Sequence, residues 1–242
     1  VVDSSAEPPP RPRARRRWLI AVVVVLALVA AALAAAWYLW FPHHRPALRP
    51  NESLGIDVSH HQGAVDWDAV AGDGIDFAYL KASEGTGWVD SRFAENWSGA
   101  DDAGLPRGAY HFFTLCTPGG EQAAHFLRTA PPESGALPPA VDLELVGNCS
   151  ARPPAEEVVA ELDTFLAVVE EAWGTDALLY VGEDWEGEYP VLDRSDRPRW
   201  LVSFLSRPDR TWTVWQFSWW GSVDGIEGDV DLDVARLDEL RR

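Results

Sequence analysis

The sequence predicts an α/β fold: an incomplete, TIM-like barrel of about eight strands, five of them followed by helices, behind one N-terminal transmembrane helix. Three observations lead there. An uninterrupted apolar run fills residues 18–40. Beyond it, short apolar strand-like runs alternate with helix-like stretches, the pattern of a parallel sheet with helices outside. Toward the C-terminus three strand-like runs follow with little helix between them. A doubly wound open sheet is the alternative, weakened because no glycine-rich dinucleotide or phosphate loop accompanies the strands.

Residues 1–17, "VVDSSAEPPPRPRARRR", are dominated by proline, serine and arginine and predict a disordered basic tail. Residues 18–40, "WLIAVVVVLALVAAALAAAWYLW", contain neither charge nor proline, and roughly 20 apolar residues span a bilayer as a helix. Tryptophan and tyrosine at its ends suit the membrane interfaces. Arg11, Arg13, Arg15, Arg16 and Arg17 precede the span, and basic flanks stay cytoplasmic. The expected localisation is therefore the cell membrane, single-pass, with the N-terminus inside and everything after Trp40 outside. Secretion after cleavage near Ala34–Ala36 is the rival, but the apolar run exceeds a usual signal core. Residues 41–53 read as a polar, proline-bearing linker, and residues 54–242 as one domain.

The tail carries five arginines against Asp3 and Glu7, so +3; removing it from the total of −18 leaves −21 for the exported part. Phosphate backbones need a basic face, so no nucleic-acid partner is expected. The domain is expected to be a monomer. Lys81 is the only lysine in the chain. Cys116 and Cys149 are the two cysteines, and an even count in an exported domain predicts one disulfide. His43–His44 and His60–His61 are adjacent pairs rather than helical i,i+4 pairs, so no metal site is read and no cofactor is expected.

Within the domain the strand-like runs are "LGIDVS", "DFAYLKAS", "RGAYHFF", "PAVDLEL", "ALLYVG", "RWLVSF", "TWTVWQFS" and "VDLDVA". Helical stretches lie in "VDWDAVAGDG", "DSRFAENWSGADDAG", "PGGEQAAHFLRTA" and "PAEEVVAELDTFLAVVEEAWG". The last places Val158, Val159, Leu162, Phe165, Leu166 and Val169 on one stripe.

Polar residues gather at one end of the strand-like runs: Asp57, Lys81, Glu84, Tyr110, His111, Asp142, Glu144, Gln216 and Asp231. In parallel barrels that end carries the active site. Asp142 and Glu144 are two apart on one strand, so their side chains share a face with Cα atoms roughly 6.5–7 Å apart. Like charges that close do not both ionise easily, which leaves one proton donor and one anion. Glycoside hydrolysis uses such a pair. A solvent-facing charged strand end is the bland alternative for an arbitrary D-x-E. Trp212, Trp215, Trp219 and Trp220, with Tyr180 and Trp185, offer faces on which sugar rings stack, although core packing is expected for about half of them.

In this order, "GIDVSHHQG", "FAYLKASEGTG", "RGAYHFF", "AVDLEL", "VWQFS" and "GDVDLD" resemble the motif set of the glycoside hydrolase family 25 lysozymes, from about Leu54 to Leu237. The resemblance implies an irregular barrel of eight strands and five helices. It implies hydrolysis of the β-1,4 bond between N-acetylmuramic acid and N-acetylglucosamine in the glycan strands of peptidoglycan. Glu144 then matches the general acid, and Asp142 the residue that stabilises charge developing at the sugar. Asp57 and Asp231 match the outer acids, with Asp229 and Asp233 offering a two-residue slip. Lys81 and Tyr110 match substrate contacts; Tyr180, Trp215 and Gln216 are further candidates for sugar binding. The "WLVSFLSRPDRTW" region departs from the family's aromatic-alanine-aromatic pattern. A Cys116–Cys149 bridge would clamp two adjacent loops at the rim. Two alternatives remain: a peptidoglycan-binding module without turnover, and a chitinase-like glycosidase, whose longer acidic run would need acids where Pro138 and Pro139 stand.

Overall fold

The computed structural model describes residues 12–204 and 206–241. It divides into two compact units between His44 and Arg45. The first unit is α1 (Pro12–Trp40), followed by a short 3-10 turn. Proline suits a first helical turn, where its missing N–H costs nothing. Residues 12–17 of the expected tail are thus helical, and residues 1–11 lie outside the described residues. At 29 residues α1 is about 43 Å long, and it is long and apolar enough to cross a membrane.

The second unit is a closed eight-stranded barrel. Strands β1 (Ser53–Val58), β2 (Phe77–Glu84), β4 (Arg107–Phe112), β5 (Ala140–Leu143), β6 (Leu178–Val181), β7 (Arg199–Val202), β8 (Val214–Gly221) and β9 (Val230–Ala235) follow one another around it, and β1 pairs with both β2 and β9. That closure excludes the open sheet. Seven strands run parallel; β9 is antiparallel to β8 and β1. A two-residue strand, β3 (Trp88–Val89), hangs on the end of β2 outside the barrel. What is incomplete is the helical layer. Helices α2 (Trp67–Gly72), α3 (Phe93–Asp102), α4 (Gly119–Thr129), α5 (Ala155–Trp173) and α6 (Glu183–Glu188) follow β1 to β6, whereas β7 to β9 are joined without helices. The one-turn α7 (Leu237–Leu240) comes last.

Strand alternation sorts the apolar residues into two cores. Phe77, Tyr79, Leu137, Ala140, Leu178, Trp200, Val214 and Ala235 fill the barrel interior, closed from below by Leu237 and Leu240 of α7. Gly55 and Gly108 make room there: a Cβ at Gly55 would meet the Phe77 ring at 2.2 Å, and one at Gly108 the Tyr79 ring at 2.3 Å. The second core lies between barrel and helices. In α5 all six residues of the predicted stripe are buried, and the helix stops at Gly174 in the left-handed conformation (φ 71°), which glycine adopts without Cβ strain.

Part of the expected linker belongs to this unit. Arg45 Nη2 donates to the Ser222 carbonyl at 2.6 Å. Arg207 pairs with Glu52 at 2.6 Å and donates to the Ala47 carbonyl at 2.9 Å. Residues 45–52 are therefore strapped to the barrel rather than free.

Candidate active site

The polar residues singled out in the sequence lie on six strands or their ends, and the barrel brings all but His111 to one mouth; His111 is buried on the helix side of β4 against Phe126 and Phe165. A cleft of about 530 Å³ opens there, lined by Asp57, Lys81, Tyr110, Asp142, Glu144, Tyr180, Gln216 and Asp231 among others. Asp142 is the last inward residue of β5 (its neighbours Val141 and Leu143 belong to the outer core), and Glu144 follows one residue past the strand. Asp57 on β1 faces Asp231 across the antiparallel β1–β9 ladder. Gln216 on β8 links two of these strands: it accepts from the Tyr180 hydroxyl at 3.0 Å and donates to Asp57 Oδ2 at 3.4 Å. Lys81 Nζ, on β2, pairs with Glu84 at 3.1 Å and lies over the rings of Phe112 and Trp88 at 4.9 and 5.1 Å.

Trp215 is the exception and corrects the expectation. On β8, Val214 and Gln216 point inward, so Trp215 and Phe217 point outward into the helix-side core. Trp215 is buried there, donating from its indole to the Ser203 carbonyl at 2.7 Å under the Arg207 guanidinium. Trp212 and Trp185 are buried in the same core, while Tyr180 and Trp219 line the cleft.

Trp200 escaped the sequence reading, and Asp233 entered it only as a two-residue slip from Asp231. Trp200 of β7 forms the floor, edge-on to Tyr110 and Tyr180. Its indole donates to Asp233 Oδ1 at 2.8 Å, and Asp233 is fully buried beneath Asp231 with its other oxygen unpartnered. The "DVDLD" run offers three acids; Asp229 precedes β9 and is exposed, while Asp231 and Asp233 share its inner face at different depths, Asp231 in the cleft and Asp233 in the barrel interior. The predicted Cys116–Cys149 disulfide is present, joining the loops after β4 and β5 across a Cα separation of 6.2 Å.

The family model for glycosyl hydrolases family 25 matches residues 56–226, most of the barrel. The chain belongs to glycosyl hydrolase family 25. Its relatives include YegX of Escherichia coli K12, 35% identical over 77% of this chain and 71% of that protein. Lysozyme M1 of Streptomyces globisporus is 33% identical over 73% of this chain and 65% of that protein. Among solved structures, a family 25 glycosyl hydrolase from Bacillus anthracis superposes with a TM-score of 0.72 at 32% identity, covering 80% of this chain and 93% of that one. The protein is therefore a glycoside hydrolase, which displaces the reading as a binding module without turnover.

The electrostatics of this family 25 cleft follow from its composition. Asp57, Asp142, Glu144 and Asp231 crowd into one mouth, with Asp233 buried beneath them and Lys81 as the nearby cation. Burial pushes Glu144 up to about 7, helped by the charges of Asp184 and Asp231 and opposed by Lys81. Burial likewise raises Asp231 to about 7. Asp142 is raised well above the usual carboxylate range by burial and by Glu144, with Lys81 pulling the other way. Asp57 is raised by burial and then by Asp231, Asp233 and Asp142. So many carboxylates in one mouth do not all ionise together, so one can hold a proton to donate while a neighbour is an anion.

Proposed function

We propose that the protein is a membrane-anchored lysozyme that hydrolyses the β-1,4 bond between N-acetylmuramic acid and N-acetylglucosamine in peptidoglycan, for remodelling or turnover of the cell's own wall. The observation that carries this reading is the meeting of Asp142 and Glu144 with Asp57 and Asp231 in one cleft at the strand ends. Relatives named Lysozyme M1, autolytic lysozyme and N,O-diacetylmuramidase support the substrate class.

Glu144, protonated up to about pH 7, gives its proton to the glycosidic oxygen as the bond from that oxygen to the anomeric carbon breaks. Positive charge then grows on the sugar. Asp142 meets that charge as the anion of the pair, with Lys81 favouring its ionised form, and its attraction to the sugar strengthens as the transition state forms. Asp142 steadies the oxazolinium ion formed by attack of the substrate's own 2-acetamido oxygen. Water then opens this ion, and Glu144, now a carboxylate, takes the water's proton. Trapping with a fluorinated sugar tests this route: covalent labelling of Asp142 would replace it with direct attack by the aspartate. Asp57, through Gln216 and Tyr180, holds the sugar-facing wall, while Lys81, Tyr110 and Trp219 offer contacts to the bound glycan.

Replacing Glu144 by Gln keeps the shape and removes the proton, and activity on purified peptidoglycan is expected to fall at least about 10²-fold. Near-normal activity would reject the assignment. The anchor reading rests on the apolar run 18–40 within α1 and the five arginines that precede that run. It requires the protein to stay in the membrane fraction after alkaline carbonate washing; release with an N-terminus inside residues 30–44 would show cleavage instead.

A further inference from the structure

Glu144 is the first residue beyond β5, off the sheet that holds Asp142. A general acid displaced by about 1 Å loses much of its effect, so something other than the sheet ladder must fix it. Two side chains do so. From the β6–α6 corner, Asp184 Oδ2 accepts from the backbone N–H groups of Leu145 and Val146 at 3.0 and 3.2 Å, while its Oδ1 accepts from Trp185 N–H at 2.8 Å. From the other side, Asn148 donates to the Glu144 carbonyl at 3.0 Å and to the Phe113 carbonyl at 2.8 Å. Its Oδ1 accepts from Leu115 N–H and Cys149 N–H. Gly182 completes the corner: it donates to the Leu143 carbonyl at 2.9 Å, and a Cβ there would meet Asp184 Oδ1 at 2.6 Å and Glu144 Cβ at 3.2 Å.

We propose that Asp184 is a positioning residue for the acid: it pins the backbone just past Glu144 and places a negative charge on that side of the carboxyl. This rests on the reading of Glu144 as the proton donor. Other groups face the same carboxyl. Asp142 from β5 and Asp231 from β9 add negative charge, Lys81 from β2 opposes them, and Glu84 at the end of β2 pairs with Lys81. Asp184 differs from these in making direct hydrogen bonds to the chain that carries Glu144. Sequence reading passes over it, because "GEDWEGE" looks like a solvated helix start and the contact to Leu145 spans 39 residues.

The experiment compares Asp184→Asn, Asp184→Ala and Glu144→Gln in the full chain on purified peptidoglycan. The amide of Asp184→Asn retains an oxygen for the Leu145 and Val146 N–H groups and loses the charge. Its alkaline limb of kcat/KM is expected to move to lower pH by roughly 0.5 unit, a modest shift because Asp184 is solvent-exposed. Asp184→Ala also loses the acceptor, and kcat is expected to drop about 10-fold with KM little changed, Asp184→Asn recovering most of that loss. An unmoved alkaline limb in Asp184→Asn, or an equal fall in both variants explained by a lower Tm, would overturn the proposal while leaving Glu144 in place. Normal turnover by Glu144→Gln would instead overturn the reading on which it rests.

Discussion

At the scale of single residues, the site is governed by how many carboxylates can be ionised at once. Lys81 is the counterweight, since its ammonium opposes the rise at both Asp142 and Glu144. Removing it makes the anionic forms less favourable, so both groups hold their protons to higher pH. Lys81→Met is therefore expected to move the acid limb of the kcat/KM profile upward, because the proposed mechanism uses Asp142 as an anion; an acid limb that moves down would contradict this. The residue scale is also where sequence reading was least complete. Asp142 and Glu144 were legible because a strand has a period of two and an acid inside an apolar run is conspicuous. Trp200 and its pairing with Asp233 were not, because the two meet only when β7 and β9 face each other across the closed barrel. Trp215 was misplaced for a related reason: the side of β8 it occupies is decided by register, and its aromatic neighbours Trp212 and Trp219 fall on both sides.

At the scale of elements, the eight barrel strands are the runs expected from the sequence, since each is an apolar segment bounded by turns. The helices of the first half were equally visible through their periodicity. Elements too short to carry a pattern were not: β3 has two residues and α7 four. The packing of α4 on α5 shows what a pattern leaves out. Gly119 opens α4 against the backbone of α5, and a Cβ there would lie 1.8 Å from the Glu161 carbonyl oxygen. The clash is with backbone, so no rotamer relieves it. Gly119→Ala is expected to destabilise the barrel by at least about 2 kcal/mol, read as a lower urea midpoint at unchanged m; an unchanged midpoint would show that the two helices are not held this close.

For the whole molecule, acid storage at the mouth links function to stability. Glu144 and Asp231 hold their protons up to about 7 when folded, against ordinary values of 4.5 and 3.8. The folded state thus binds more protons than the unfolded chain between those limits, and stability falls as pH rises through that window. Glu52 works in the opposite sense, lowered by its pairing with Arg207, but its effect lies below its ordinary value of 4.5. Thermal unfolding of the barrel unit should therefore show a higher Tm at pH 5 than at pH 8, and Asp231→Asn should flatten the difference. A Tm that climbs over this range would contradict the buried-acid arrangement.

The most direct test of the central claim is analysis of the reducing ends released from purified peptidoglycan. New N-acetylmuramic acid reducing ends are expected from the intact enzyme, and at least about 10²-fold fewer from Glu144→Gln. N-acetylglucosamine reducing ends, or equal release by the two proteins, would contradict it.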